Sequence, residues 1–482
     1  ELVLSHAREK LRLMNSDRCD AVAAYRSGYS ASHRRAIESS LFSGKLRGVA
    51  ATNALELGID VGALDVTLHL GFPGSVSSLW QQSGRAGRRE QRALSIYVAF
   101  DSALDQFFMR NPEKLFEAPI EHATVDFQNN VLLASHVACA SYETPVVVES
   151  DVAYFGSGLS QCCINLQKRH VLGRNPECTT DQRWYCILEV NPAHAINLRA
   201  IDENVWKVVD ERTRRVIEEI EESKAFFQIY EGAVYLQQGR KYVCTGLDMD
   251  ERVASVRRAD LKYYTSLRDF TDIVVTGGKP AYSLTEHQLA TMVPLYGSTA
   301  TLGSARHVTR FIGFNKIWQR SGKVFDSVEL TLPPVAYDTI CVWIRIPDKA
   351  RVEIEHQGKE LRAGVHAASH ALLNVLPLYL MCNRADVGVE CVNNHETRWR
   401  PERLLIYDKQ PGGTGIAAQV QPLFGNLLRA AQTLVQECPC TEPTGCPSCV
   451  HSGDCDEYND ALDKAGALII FQAIIDAEEV HF

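Results

Sequence analysis

The chain has 482 residues, 45% hydrophobic and 23% charged, enough apolar material for the cores of about three domains. Its formal net charge of −9 argues against a surface that coats a polyanion, so nucleic-acid contact would have to be local. Fifteen cysteines without a secretory signal argue for reduced thiols rather than a disulfide framework, and the longest near-apolar stretch, residues 465–473, is too short to cross a bilayer.

Residues 1–115 carry 15 basic against 12 acidic side chains, which leaves the acidic excess downstream. Three β-branched runs, at 46–52, 65–70 and 93–100, are separated by helical stretches and predict alternating β and α units around a parallel sheet. Loops at the carboxyl ends of such strands hold ligands, and residues 53–60 and 72–78 begin there. Residues 81–88 read QQSGRAGR, with Arg85 and Arg88 three apart. A helix over 83–90 puts both guanidinium groups on one face, spaced to neutralise the charge that spreads over a transferring phosphoryl group. The plain alternative is a solvated basic helix start beside Arg89 and Arg92.

Residues 119–192 hold helical stretches, then GLSQCCINLQKRHV at 158–171 and RWYCILEV at 183–190, an order compatible with a winged helix. Lys168, Arg169 and His170 would then lie near the wing, where they could touch a duplex backbone; an ordinary surface helix end is the alternative. Residues 206–345 alternate as in a small barrel or curved sheet, preceded by a charged helix at 210–224. Tyr235, Tyr242, Tyr263 and Tyr264 are candidate stacking platforms for bases or, more commonly for this pattern, half-buried strand residues.

His366 and His370 stand four apart as in a metalloprotease helix, but Ala367 replaces the glutamate, which favours a packing face with Leu372, Leu373 and Leu376. The Pro-Gly-Gly-Thr-Gly run at 411–415 has the shape of a phosphate cradle without its lysine, which favours a tight strand-to-helix turn. Five cysteines then fall within eighteen residues: Cys438, Cys440, Cys446, Cys449 and Cys455. The Cys446-Pro-Ser-Cys449 knuckle lets two thiolates meet one Zn²⁺, and the equal separations of Cys440 and Cys455 from it make those two the expected partners, with Cys438 the alternate. A closed thiolate site is structural rather than catalytic; a redox Cys-x-x-Cys is the rival, disfavoured by the Gly/Pro-rich loop without a βαβ context.

Three blocks in register, 25–46, 49–61 and 81–88, resemble the second RecA-like lobe of superfamily-2 helicases. The resemblance implies that Gly28, Tyr29, Thr52 and Asn53 touch the nucleic-acid backbone, that Gly58 and Asp60 lie near the nucleotide, and that Gln81, Gly84, Arg85 and Arg88 complete an ATP site. No G-x-x-x-x-G-K-[ST] loop and no acidic metal-binding strand of that class occurs, and GGKP at 277–280 is too short. ATP and Mg²⁺ would therefore be held by a first lobe upstream of Glu1 or on another chain, and the chain alone would hydrolyse no ATP. Together with HAASHALLNVLPLYLMC, LLIYDKQPGGTGIA and the terminal cysteines, the whole resembles the C-terminal half of the mitomycin repair factor A and Hrq-type RecQ-like DNA helicases.

That likeness implies an α/β chain with four parts: a RecA-like lobe at 1–115, a winged-helix-like module at 116–205, a β-rich domain at 206–345 and a zinc-binding α+β domain at 346–482. It further implies an ATP-driven 3′-to-5′ DNA helicase of crosslink repair, acting on single-stranded and tailed duplex DNA with DNA-repair proteins as partners and no membrane. An RNA helicase, a translocase or a zinc-stabilised DNA-binding fragment are the alternatives. The cysteine content leans toward a nucleus over a bacterial cytoplasm.

Overall fold

The computed structural model describes residues 1–14, 16–56, 64–87, 92–117, 119–121, 129–174, 183–194, 204–277, 279–280, 298–390, 402–453, 455 and 459–481. The chain divides into two compact units, each assembled from non-contiguous stretches. Among the described residues no helix is long and apolar enough to cross a membrane.

The first unit takes in Glu1–Val98, Asp202–Phe270 and Arg310–Pro334. Its α/β part holds two parallel strand pairs, Val22–Tyr25 with Gly48–Ala51 and Val66–Leu70 with Leu94–Val98. The connecting helices begin at serines: the Ser30 hydroxyl accepts from the His33 N–H ahead of Ala31–Phe42, and Ser75 from Ser78 ahead of Val76–Ser83. Each such cap is worth about 1 kcal/mol. These strands and helices alternate as the sequence predicts.

The β-rich part is a five-stranded sheet in the order Val234–Gln237, Arg240–Asp248, Val253–Arg258, Val205–Asp210, Val216–Glu221. The charged helix expected at 210–224 is instead the hairpin joining the last two of these strands, with a helix only from Glu222 to Gln228. Two local causes decide it. The Asp210 carboxylate accepts from the N–H groups of Arg212 and Thr213, closing a turn that Arg214 completes at φ 56°. Beyond it Glu218 and Ile220 point inward and their neighbours outward, a period of two. Trp206, Phe226 and Phe311 form an edge-to-face chain at the core. Tyr235 and Tyr242 are buried there, at 4% and 6% exposure, so they are strand residues rather than stacking platforms; Tyr264 is exposed and Tyr263 packs its edge on Phe325.

The second unit takes in Ala99–Ile201, Thr271–Thr309 and Val335–Phe482. Helices Asn130–Glu143, Val148–Phe155 and Leu159–Lys168 pack on three short strands, Val146–Val147, Arg183–Cys186 and Leu172–Gly173, in the order of a winged helix. Leu159, Cys163, Leu172 and Trp184 are their buried centre. The remainder sets strands Val335–Arg345, Arg403–Asp408 and Val387–Val389 antiparallel beneath the helices Leu361–Val375, Ile416–Glu437 and Lys464–His481. Leu372, Phe424, Leu428, Ile470 and Phe471 are fully buried between these helices.

Candidate functional site

The strand Gly48–Ala51 ends at Thr52 and Asn53, both exposed, and the turn Asn53–Leu55 delivers Glu56 to the helix Val76–Ser83. Glu56 ties the two motifs together. Its carboxylate accepts from Ser78 Oγ at 2.9 Å and from Gln82 Nε2 at 3.1 Å, and its backbone carbonyl accepts from the Arg85 guanidinium. Gln82 Oε1 lies 3.2 Å from His69 Nδ1, and His69 Nε2 lies 3.0 Å from Ser95 Oγ, which carries the network across both strands of the second pair. Gln82 is thus a structural residue, while Gln81 and Gly84 face outward. Gly58, Asp60 and Arg88 lie outside the described residues.

The helix expected over 83–90 does not form across the residues described there. The helix stops at Ser83, Ala86 makes a parallel bridge to Leu64, and Gly87 takes a φ of 80°. Glycines at 84 and 87 remove helix propensity where the chain must turn into that bridge. Gly28 and Tyr29 are also placed differently from expectation. The Tyr29 ring is 2% exposed, stacks on His33 and donates its hydroxyl to the Glu1 carboxylate; Gly28 accepts the N–H of Glu219 through its carbonyl at 3.1 Å, and a Cβ there would strike the Glu218 side chain. Gly28 is thus a seat on which the strand Val216–Glu221 rests, because a residue without a side chain admits a second backbone.

An open cleft of about 980 Å³ runs beside this seat, lined among others by Arg212, Arg215, Arg240, Arg257 and Arg258. All five are exposed, and they come from three separate strand ends and one turn, so the cluster joins short basic stretches that are apart in sequence. Their guanidinium groups make no ion pair among the described residues. In a chain of net negative charge such a cluster is a candidate phosphate-binding surface. In the second unit, Lys168 ends the third winged-helix helix and Arg169 caps it, both exposed, with His170 at φ 57° turning the chain into Leu172–Gly173.

The cysteine cluster is built on the loop after Ile416–Glu437. Sγ atoms of Cys438 and Cys446 lie 3.5 Å apart, of Cys440 and Cys449 3.7 Å, and of Cys446 and Cys449 3.8 Å. Four sulfurs about 2.3 Å from one tetrahedral Zn²⁺ are about 3.8 Å from each other, so these residues fit the ion. Cys438 therefore takes the place expected of Cys455, which stands instead beside His366 and His370. The helix ends at Glu437 and hands over Cys438 in extended backbone, two residues short of Cys440, which brings both to the knuckle at once. Gly445, at φ 78°, passes so close to Val450 and Cys449 that any side chain would collide. Lys464 completes the surroundings: its ammonium donates to the carbonyls of Cys438 (2.8 Å) and Cys440 (3.0 Å) and lies 3.3 Å from Cys440 Sγ, offsetting thiolate charge.

The Gly-rich run resolves as the tight turn. Asp408 fills the anion position itself, accepting the N–H groups of Thr414 (2.7 Å), Gly415 (3.0 Å) and Ala417 (2.9 Å) at the start of Ile416–Glu437. Its carboxyl is pushed up by burial, against these donors.

This combination, a parallel α/β lobe carrying the 49–61 and 81–88 segments with a winged helix and a four-cysteine cluster, is an architecture of the helicase class. Three family models match: the helicase conserved C-terminal domain over residues 2–90, the winged helix domain of the ATP-dependent helicase HRQ1 over 125–201, and the MrfA Zn-binding domain over 368–450. The chain is 33% identical to the ATP-dependent helicase HRQ1 of Saccharomyces cerevisiae over 96% of its own length and 42% of the relative's. It is 32% identical to the uncharacterized ATP-dependent helicase YprA of Bacillus subtilis over 93% and 57%. A crystal structure of the DUF1998 helicase MrfA bound to DNA aligns with a TM-score of 0.63 at 30% identity, over 98% of this chain and 60% of that one. The chain spans about half the length of the curated relatives it matches. Over nearly its whole length it is homologous to the Hrq and MrfA helicases, consistent with their C-terminal half.

Proposed function

We propose that this chain is the second lobe and accessory half of an ATP-dependent 3′-to-5′ DNA helicase of genome maintenance, including crosslink repair, working in the nucleus. The observation that carries the reading is the Glu56 junction, which couples the exposed Thr52–Asn53 segment to Arg85 through one residue. In this reading Thr52 and Asn53 grip one DNA strand, and Arg85 and Arg88 meet the γ-phosphate of ATP held with Mg²⁺ by a first lobe. Arg85 is anchored to the Glu56 carbonyl, so movement of Arg85 is transmitted to the strand-gripping segment. The arginine-lined cleft and Lys168–Arg169 supply sequence-independent backbone contact to single-stranded and tailed duplex DNA. The cysteine cluster with its Zn²⁺ is structural.

The test is strand separation by the full-length protein on 3′-tailed DNA, 5′-tailed DNA and RNA duplexes with ATP. Unwinding confined to 3′-tailed DNA is the expected result; hydrolysis without separation on any of them would make the protein a translocase instead. In the same assay Arg88→Ala is expected to lower turnover by on the order of 10³ while sparing DNA binding.

A further inference from the structure

His366 and His370 lie one turn apart on Leu361–Val375, their ring centroids 4.4 Å apart, and both are buried at 3% and 2% exposure. Each ring turns Nδ1 to a backbone carbonyl, His366 to Ala461 at 3.2 Å and His370 to Val450 at 2.9 Å. A carbonyl only accepts, so both Nδ1 atoms carry the proton and both Nε2 atoms carry a lone pair. This is the arrangement that surrounds a metal-binding imidazole. Cys455 Sγ stands 3.6 Å from His366 Nε2, and the three potential ligand atoms lie within 4.8 Å of one another. A sulfur and an imidazole nitrogen on one tetrahedral Zn²⁺ are about 3.6 Å apart. The Cys455 sulfur also accepts the N–H of Asn459 at 3.3 Å, just as Cys449 Sγ accepts that of Cys446 at 3.2 Å within the four-cysteine centre.

We propose that His366, His370 and Cys455 form a second zinc site, separate from the centre of Cys438, Cys440, Cys446 and Cys449. Two imidazoles and a thiolate select a borderline-soft divalent ion and reject Mg²⁺ and Ca²⁺. The ion joins the helix Leu361–Val375 to the segment between the cysteine knuckle and the helix Lys464–His481, closing a loop that the first centre leaves open. Without metal the contact between Cys455 and His366 would be a thiol-to-imidazole hydrogen bond.

The decisive measurement is zinc stoichiometry on the full chain, loaded with zinc and dialysed, by elemental mass spectrometry. Two zinc ions per chain are expected, falling to one in Cys455→Ser and to one in Cys449→Ser. Because either variant could fail to fold, zinc-edge X-ray absorption on the unaltered protein gives an independent answer. A ligand shell containing imidazole nitrogen beside sulfur supports the second site; one zinc per chain, or a shell of sulfur alone, overturns it.

Discussion

Glu218 is a carboxylate in an unfavourable place. It is 3% exposed, pairs with Arg26 at 3.0 Å through Oε1, and leaves Oε2 buried without a hydrogen bond. Burial pushes its carboxyl up to about 7, against the attraction of Arg26. A folded-state value above the unfolded one means that the folded form holds its proton more tightly. Its stabilising contribution is therefore full below the unfolded value near 4.5 and lost as pH rises through about 7. Glu218→Gln should melt closer to the unaltered protein at pH 5 and gain on it progressively toward pH 8; a melting-temperature difference independent of pH would show that Glu218 is charged throughout. Lys464 makes the opposite case, a charge that belongs where it is. Lys464→Met removes the cation beside Cys440, and zinc transfer to a competing chelator should become roughly tenfold faster, in the range of outer-shell effects on metal sites.

Among the elements, the helices Leu361–Val375 and Lys464–His481 cross where Gly364 meets Gly466, so near that a Cβ on Gly364 would lie 3.0 Å from the Gly466 backbone. Gly466→Val should cost about 1–3 kcal/mol by forcing the helices apart, measured by denaturant unfolding. The start of Ile416–Glu437 offers a companion test. Asp408→Ala leaves three buried N–H groups without their acceptor and should destabilise by at least about 2 kcal/mol, and added phosphate should not restore it, since the pocket is cut to a carboxylate. These elements also mark how far the sequence can be read. The strands at 48–51, 66–70 and 94–98 were legible because β-branched runs between helical stretches have few other solutions. The hairpin at 205–221 was not, because its glutamates and arginines are good helix formers, and only the turn chemistry of Asp210 outweighs them. The knuckle at Cys446 and Cys449 announced itself by spacing, whereas the choice between Cys438 and Cys455 depended on where a helix ended and on two histidines far away in sequence.

For the molecule as a whole, its sites are assembled from distant stretches. Five arginines of the cleft come from three short basic stretches at 212–215, 240 and 257–258, which the fold brings together in a chain of net charge −9. Replacing Arg257 and Arg258 together by alanine should weaken DNA binding uniformly across sequences and reduce the slope of log affinity against log salt by about 2, if each meets one phosphate. An unchanged slope would remove the cleft from the DNA path. The metal centre carries a consequence for handling the protein that has nothing to do with DNA. Three pairs of its sulfurs lie 3.5–3.8 Å apart, and an ion shared among them would keep them from reacting. Once zinc leaves in the presence of air, Cys438 and Cys446 are already neighbours for oxidation to a disulfide, with dioxygen taking the two electrons. Metal loss then becomes a trap rather than an equilibrium: zinc added back finds two ligands gone, and only a reductant given first reopens the site.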